Sequence, residues 1–152
     1  MTTTLSVTAI KHGTVIDHVT PGQALRILHL LGLVDSRYKV TIGLHLPSKR
    51  LGMKDLIKIE NRILTENEAN EIVVFAPDAT INVIENFIVV NKITTRLPHT
   101  MKAVFDCPNP ACITQTESVD SLFYISSRLR SVKLICHYCD KTFDRDQVNV
   151  NI

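Results

Sequence analysis

No cysteine occurs among the first 106 residues of this 152-residue chain. No stretch reaches the roughly 18 consecutive apolar residues that a spanning helix requires. The opening Met1-Thr2-Thr3-Thr4-Leu5 lacks the basic and apolar blocks of a secretory signal. The chain is therefore expected in the cytoplasm, with no membrane partner. Glycine-rich phosphate loops of the GxGxxG or GxxxxGK[ST] kind are missing, so a nucleotide would be held by side chains and strand backbone rather than at a helix N-terminus. There is no Gly-x-Ser-x-Gly, no HExxH and no Cys/His pair outside the cysteine cluster. Asp78, Glu85 and Glu117 are scattered. No intrinsic catalysis is expected. Repeats and low-complexity segments are lacking, while 45% hydrophobic and 21% charged residues are ordinary for an ordered globular protein.

The four cysteines all lie in the last third, as Cys107-x4-Cys112 and, 23 residues later, Cys136-x2-Cys139. Two paired knuckles of this kind suit one tetrahedral Zn²⁺ per chain. Four thiolates close every coordination position, so the ion is expected to be structural. Reduced cytosolic thiols favour metal over a disulfide or a redox pair. His137 sits between two of the cysteines and, with four thiols available, is read as a non-ligand. A zinc ribbon that binds nucleic acid is the competing reading, and charge counts against it. Residues 101–152 carry Lys102, Arg128, Arg130, Lys133, Lys141 and Arg145 against Asp106, Glu117, Asp120, Asp140, Asp144 and Asp146. Four thiolates around a divalent ion make that balance slightly acidic, where nucleic-acid binding calls for a basic footprint.

Ahead of the cysteines the pattern alternates between strand and helix. Residues 5–10 and 14–19 read as short strands. Thr20-Pro21 is expected to start a helix with the apolar face Leu25, Leu28, Leu31 and Leu33. Residues 38–46 and 55–60 alternate with period two, as antiparallel strands do. Thr65 and Glu68 form a capping-box pattern for a second helix that runs to Phe75 and stops at Ala76-Pro77. Thr80–Glu85 and Phe87–Ile93 read as a hairpin turning near Asn86. The fold class is α+β: an antiparallel sheet with two helices on one face, then a small all-β four-cysteine domain. The boundary falls in the linker around Pro98, giving domains 1–97 and 98–152. Short strands are expected at 102–106, 121–127, 131–136 and 146–150.

Two features outside the cysteines bear on binding. In Gly13-Thr14-Val15-Ile16-Asp17-His18, an Asp can accept from ribose hydroxyls and a His can meet phosphate, yet on chemistry alone an edge strand with satisfied or solvated Asp and His is the favoured reading. Lys58 and Lys92 stand in strand segments, where exposed lysines commonly protect a sheet edge. Leu56, Lys58 and Glu60 share one face and Ile57 and Ile59 the other. Lysines facing the same way as Asp17 and His18 would form an anion site suited to a triphosphate.

Taken in order, Val-Thr-Ala-Ile-Lys, Gly-Thr-Val-Ile-Asp-His, Lys-Asp-Leu-Ile-Lys-Ile-Glu-Asn, Ala-Pro-Asp-Ala-Thr-Ile-Asn and the Cys-x4-Cys-x23-Cys-x2-Cys spacing resemble the aspartate carbamoyltransferase regulatory chain over essentially the whole sequence. The resemblance implies a non-catalytic subunit of pyrimidine biosynthesis. Its first domain would bind nucleotide effectors and pair regulatory chains into homodimers, and its zinc domain would dock on catalytic chains so that dimers link catalytic trimers. It further implies that Ala9 and Ile10 meet the base through backbone, Asp17 takes the ribose, and His18 and Lys92 take the phosphates. Lys58 would lie near ribose and base, with Asn82, Ile84 and Val89 lining the pocket. CTP is expected to inhibit and ATP to activate, with UTP acting alongside CTP. The chain departs from the family pattern at Pro110 and Ala111 in the first knuckle, where polar residues are usual and Asn109 is left to reach the catalytic chain. It departs again at Phe87, where a tyrosine is familiar.

Overall fold

The computed structural model describes residues 9–128 and 131–151. The chain divides into two compact units, Met1–Thr95 and Arg96–Ile152. In the first, β1 (Gly13–Val19), α1 (Ala24–Leu30), β2 (Val40–Ser48), β3 (Gly52–Glu60), α2 (Glu66–Phe75), β4 (Thr80–Glu85) and β5 (Ile88–Ile93) follow one another. The strands form one sheet in the order β2-β3-β1-β4-β5, and every neighbouring pair is antiparallel. Each helix thus links two strands between which a third is inserted, the split β-α-β arrangement.

Alternation along the strands separates two faces. Ile16, Ile57, Ile59 and Ile81 are buried to within 1% of complete, as are Ala24, Ile27, Ala69 and Ile72 of the helices. Val15, Asp17, Lys58, Asn82 and Ile84 point the other way. Gly13 sits where a Cβ would lie 1.9 Å from the carbonyl oxygen of Ile59. Only glycine permits β1 and β3 to pair that closely.

Several expectations are corrected. The helix does not begin at Thr20-Pro21: Thr20 to Gln23 is a turn closed by Gln23 N–H to Thr20 C=O (3.1 Å), and Gln23 is the N-cap without a side-chain cap. The carboxylate of Asp55, reaching across from β3, accepts from Gly22 and Ala24 N–H instead. The inner face of α1 is Ala24, Ile27 and Leu28, while Leu25 is 57% exposed. The strand expected at 5–10 falls largely outside the described residues, and residues 9 and 10 are not in a strand. For α2 the capping box forms as expected, with Thr65 Oγ1 accepting from Glu68 N–H and Glu68 Oε1 accepting from Thr65 N–H.

The second unit is all β apart from two single 3₁₀ turns. A four-stranded sheet runs β10 (Thr142–Asp144), β9 (Ser131–Cys136), β8 (Leu122–Arg128), β6 (Thr100–Lys102), and β7 (Phe105–Asp106) pairs separately with β11 (Asn149–Val150). The expected strand 102–106 is two strands in different sheets, broken at Ala103, whose φ is 59°. Residues 145–147 form a 3₁₀ turn, so the last strand is shorter than expected, and β10 was not anticipated. The core is small: Phe105 and Phe123 meet edge to face at 5.9 Å, with Met101, Leu134 and Val148 around them.

Candidate functional site

The face of the first sheet that carries no helix holds a cavity of about 530 Å³, within the roughly 300–1,000 Å³ range of small-molecule sites. Its walls come from all five strands, the β4–β5 turn and the segment before β1. Strand register orders those walls into rows. Ile84 and Val89 face each other in one row, joined by Phe87 from the turn and by Ala9 and Ile10. In the next, Thr41, Lys58, Val15, Asn82 and Lys92 stand opposite one another across five strands. Asp17 and Leu56 come next, and Lys54 with Leu46 last. One end of the cavity is therefore apolar and the other charged. Four residues of strand, about 13 Å, separate the Ile84 row from the Asp17 row.

Electrostatics concentrate at the charged end. Lys54 Nζ lies 2.8 Å from Asp17 Oδ1, which also accepts from the backbone N–H of His18 at 2.7 Å. Burial disfavours ionised Asp17, but the Lys54 ammonium and the His18 N–H outweigh it and hold its carboxyl below the usual range. Lys58 is only 9% exposed. Burial brings its pKa down, with Asp17 pulling the other way. Across β1 from Lys58, Asn82 Oδ1 is a buried acceptor with no hydrogen-bond partner among the described residues.

The cavity brings together Ala9, Ile10, Asp17, Lys58, Asn82, Ile84 and Val89, but neither His18 nor Lys92 lines it. The His18 ring, on a residue with φ 55°, is tied by Nδ1 to Thr80 Oγ1 at 3.1 Å. Lys92 is exposed on the edge strand, in the same row as Lys58 but beyond the rim. Val15, Leu46, Pro47, Lys54 and Leu56 were not anticipated. The signal for Lys54 was present: it has the same parity as Lys58, hidden only because the strand begins at Gly52 rather than Asp55. Phe87 lines the apolar end in a left-handed conformation (φ 66°), held by its N–H to Lys11 C=O at 3.0 Å.

The second unit gathers its four cysteines into one cluster, all Sγ atoms within 4.8 Å of one another. Cys107–Cys139 and Cys112–Cys136 are each 3.8 Å apart. Sulfurs at about 2.3 Å from a tetrahedral Zn²⁺ lie about 3.8 Å from one another, so the donor set fits such an ion. Donors also converge on the sulfurs, as they do around thiolates. Thr114 Oγ1 donates to Cys112 Sγ at 3.1 Å, and the N–H groups of Asn109 and Lys141 reach Cys107 and Cys139. Burial pushes the Cys107 and Cys136 thiols up. At Cys139 burial acts the same way but is outweighed, first by the Asn109 side chain, bringing that thiol down to about 7. The His137 ring stands outside the cluster, bonded through Nδ1 to Tyr124 OH at 2.7 Å. One expectation is corrected here. Asn109 is 7% exposed, its Oδ1 accepts from Ala111 N–H, and its C=O accepts from Gln115 Nε2, so it braces the knuckle rather than offering itself to a partner.

Comparison with known proteins agrees with this division. Residues 5–96 match the family model "Aspartate carbamoyltransferase regulatory chain, allosteric domain", and residues 99–149 match "Aspartate carbamoyltransferase regulatory chain, metal binding domain". The chain is 48% identical over 145 residues to the aspartate carbamoyltransferase regulatory chain of Chromobacterium violaceum, covering 95% of each. It is 49% identical over 145 residues to that of Tolumonas auensis, covering 95% of this chain and 94% of the relative. With the regulatory chain of Yersinia pseudotuberculosis serotype O:1b it shares 50% identity over 140 residues, 92% of this chain and 91% of the relative. An allosteric domain followed by a four-cysteine metal-binding domain, matched over nearly the full length, makes the chain a member of the aspartate carbamoyltransferase regulatory chain family, a non-catalytic subunit.

Proposed function

We propose that the cavity of the first unit binds nucleoside triphosphate effectors, CTP as inhibitor, ATP as activator and UTP alongside CTP. The second unit, folded around one Zn²⁺, docks on the aspartate carbamoyltransferase catalytic chain, and homodimers of regulatory chains link catalytic trimers in the cytoplasm. The observation that carries this reading is the graded cavity. An apolar end framed by Ile10, Ile84, Phe87 and Val89 suits a planar base, and the unpaired Asn82 Oδ1 offers an acceptor to the ligand's donors. Lys58, Asp17 and Lys54 lie one, two and three rows further on, where a nucleotide stretches its ribose and phosphates. Lys92 and the His18 ring stand outside the walls and would be met only by a triphosphate that extends past the rim. Zinc is supported by four clustered thiols, two pairs of which stand at the 3.8 Å expected for a tetrahedral site. Absence of a basic surplus in residues 101–152 supports a protein partner for the second unit rather than nucleic acid.

Titrating CTP, ATP and UTP calorimetrically against the metal-loaded full chain tests the sensor assignment. Saturable binding is expected for each, and no binding by any of the three removes it. Co-purification with a carbamoyltransferase catalytic chain tests the docking assignment independently. A regulatory chain that never retains the catalytic chain contradicts it.

A further inference from the structure

Asp55 is wholly buried on the helix side of the sheet and is not part of the cavity wall. Its carboxylate joins three segments. Oδ2 accepts from Gly22 N–H (2.9 Å) and Ala24 N–H (3.4 Å) at the entry to α1, and Oδ1 accepts from His45 N–H (3.0 Å) in β2. Both breaks of register beside β3 fall at this level. One lies in β1 between Ile16 and Val19, the residue opposite Asp55, and the other in β2 between Gly43 and Leu46. Each contains a histidine in the left-handed region, His18 (φ 55°) and His45 (φ 55°). That conformation is unfavourable for an L-residue with a side chain and persists only where its surroundings hold it.

The cavity is shaped by these same irregularities from its opposite side. Asp17 lies within the β1 break, and Leu46 closes the β2 break, opposite Lys54. The residues flanking Asp55 in β3, Lys54 and Leu56, both line the cavity, and Lys54 pairs with Asp17. From His18, anchored to Thr80, six residues lead to Ala24, anchored to Asp55. We infer that Asp55 is a positioning residue of the effector cavity: by clamping His45 and the Gly22–Ala24 turn it sets the geometry of the Asp17–Lys54 end and transmits a ligand's pull on that end to α1. The inference rests on the reading of the cavity as a nucleotide site. Coupling can be carried by a contiguous set of contacts with one anchor on each side, which this segment supplies.

The test uses the metal-loaded full chain as wild type, Asp55→Asn and Ile57→Val. Asparagine keeps the volume but turns an N–H₂ toward one of the backbone donors, so one arm of the clamp is lost. Ile57→Val disturbs the same buried face without touching the clamp. Both variants are expected to melt lower. Only Asp55→Asn should weaken CTP and ATP, by about tenfold, the effect of one charge-assisted hydrogen bond, measured at a temperature where all three proteins are folded. In wild type, CTP should also slow hydrogen exchange at the amides of Gly22, Ala24 and His45, none of which lines the cavity. This second measurement decides the matter if Asp55→Asn does not fold. Wild-type affinity in a folded Asp55→Asn, or unchanged exchange at all three amides in CTP-saturated wild type, overturns the inference and leaves the effector site standing. Failure of wild type to bind any nucleotide overturns the site itself and the inference with it.

Discussion

Withdrawal of the metal should unfold one unit of this chain and spare the other. Among the described residues of the second unit, Arg96–Ile152, only four aromatic or branched aliphatic side chains are fully buried, Phe105, Phe123, Leu134 and Val148. A domain of its 57 residues has a net stability of about 3–9 kcal/mol at the usual per-residue value. Structural Zn²⁺ contributes an apparent ~10–16 kcal/mol in small metal-nucleated domains at neutral pH. The ion's contribution exceeds the whole margin, so its loss is expected to abolish the fold of this unit. The assay is hydrogen exchange by mass spectrometry on the full chain during stepwise removal by a mercurial, with metal content followed in parallel. Peptides spanning β8 and β9 should lose protection in proportion to metal released, while those spanning β3 and α2 keep theirs. Retained protection in β8 and β9 after complete metal loss would show that the small apolar core suffices and would refute the reasoning.

Four other perturbations follow from the geometry of the first unit. Gly13→Ala places a methyl group 1.9 Å from Ile59 C=O at a residue with φ 141°, so a loss of about 3 kcal/mol or more is expected in denaturant unfolding; a near-neutral result would mean that β1 and β3 separate freely. Lys58→Met removes a buried ammonium whose charge burial already disfavours, so the melting temperature at pH 7 should stay equal or rise while CTP and ATP bind at least about tenfold more weakly. For Asp17 the folded pKa lies below its unfolded value of about 3.9, so its contribution is present above that pH and is lost as pH falls through the folded value; Asp17→Asn should flatten the acid limb of stability below about pH 4, and an unchanged slope would contradict the Lys54 pairing. Phe87→Ala should change the ratio of CTP to ATP affinity, because Phe87 lines only the end assigned to the base; an equal change for both nucleotides would place the base elsewhere.

What the sequence disclosed was local, and what it concealed depended on partners distant along the chain. The Thr65–Glu68 box, the Asn86 turn and the cysteine knuckles each lie within a few residues and were legible from spacing alone. Thr20-Pro21 was misleading because the groups that terminate α1 are satisfied by Asp55, 31 residues beyond Ala24. Lys54 was missed through a three-residue error in a strand start, which is enough to drop one member of a face with period two. Asn109 looked available in sequence and is buried in the fold, because Gln115 and Ala111 close the knuckle around it. Sheet register, which aligned Lys58, Val15, Asn82 and Lys92, could not be read before the strands were paired.

If the cavity binds CTP and ATP as proposed, its register constrains how it can report two opposite signals. CTP and ATP carry the same ribose and triphosphate, so contacts with Asp17, Lys54 and Lys58 contribute alike to both. A ligand shifts a conformational equilibrium only through a difference in its affinity for the two states. Discrimination between the nucleotides must therefore originate at the apolar end, where Ile10, Ile84, Phe87 and Val89 stand. That end is secured by Phe87 N–H to Lys11 C=O and by Asn61 N–H to His12 C=O. The charged end is secured through Asp55 to α1. The two ends of the cavity thus rest on different parts of the fold, and under the proposed function a base that fills the apolar end to a different depth would redistribute the same phosphate pull between them.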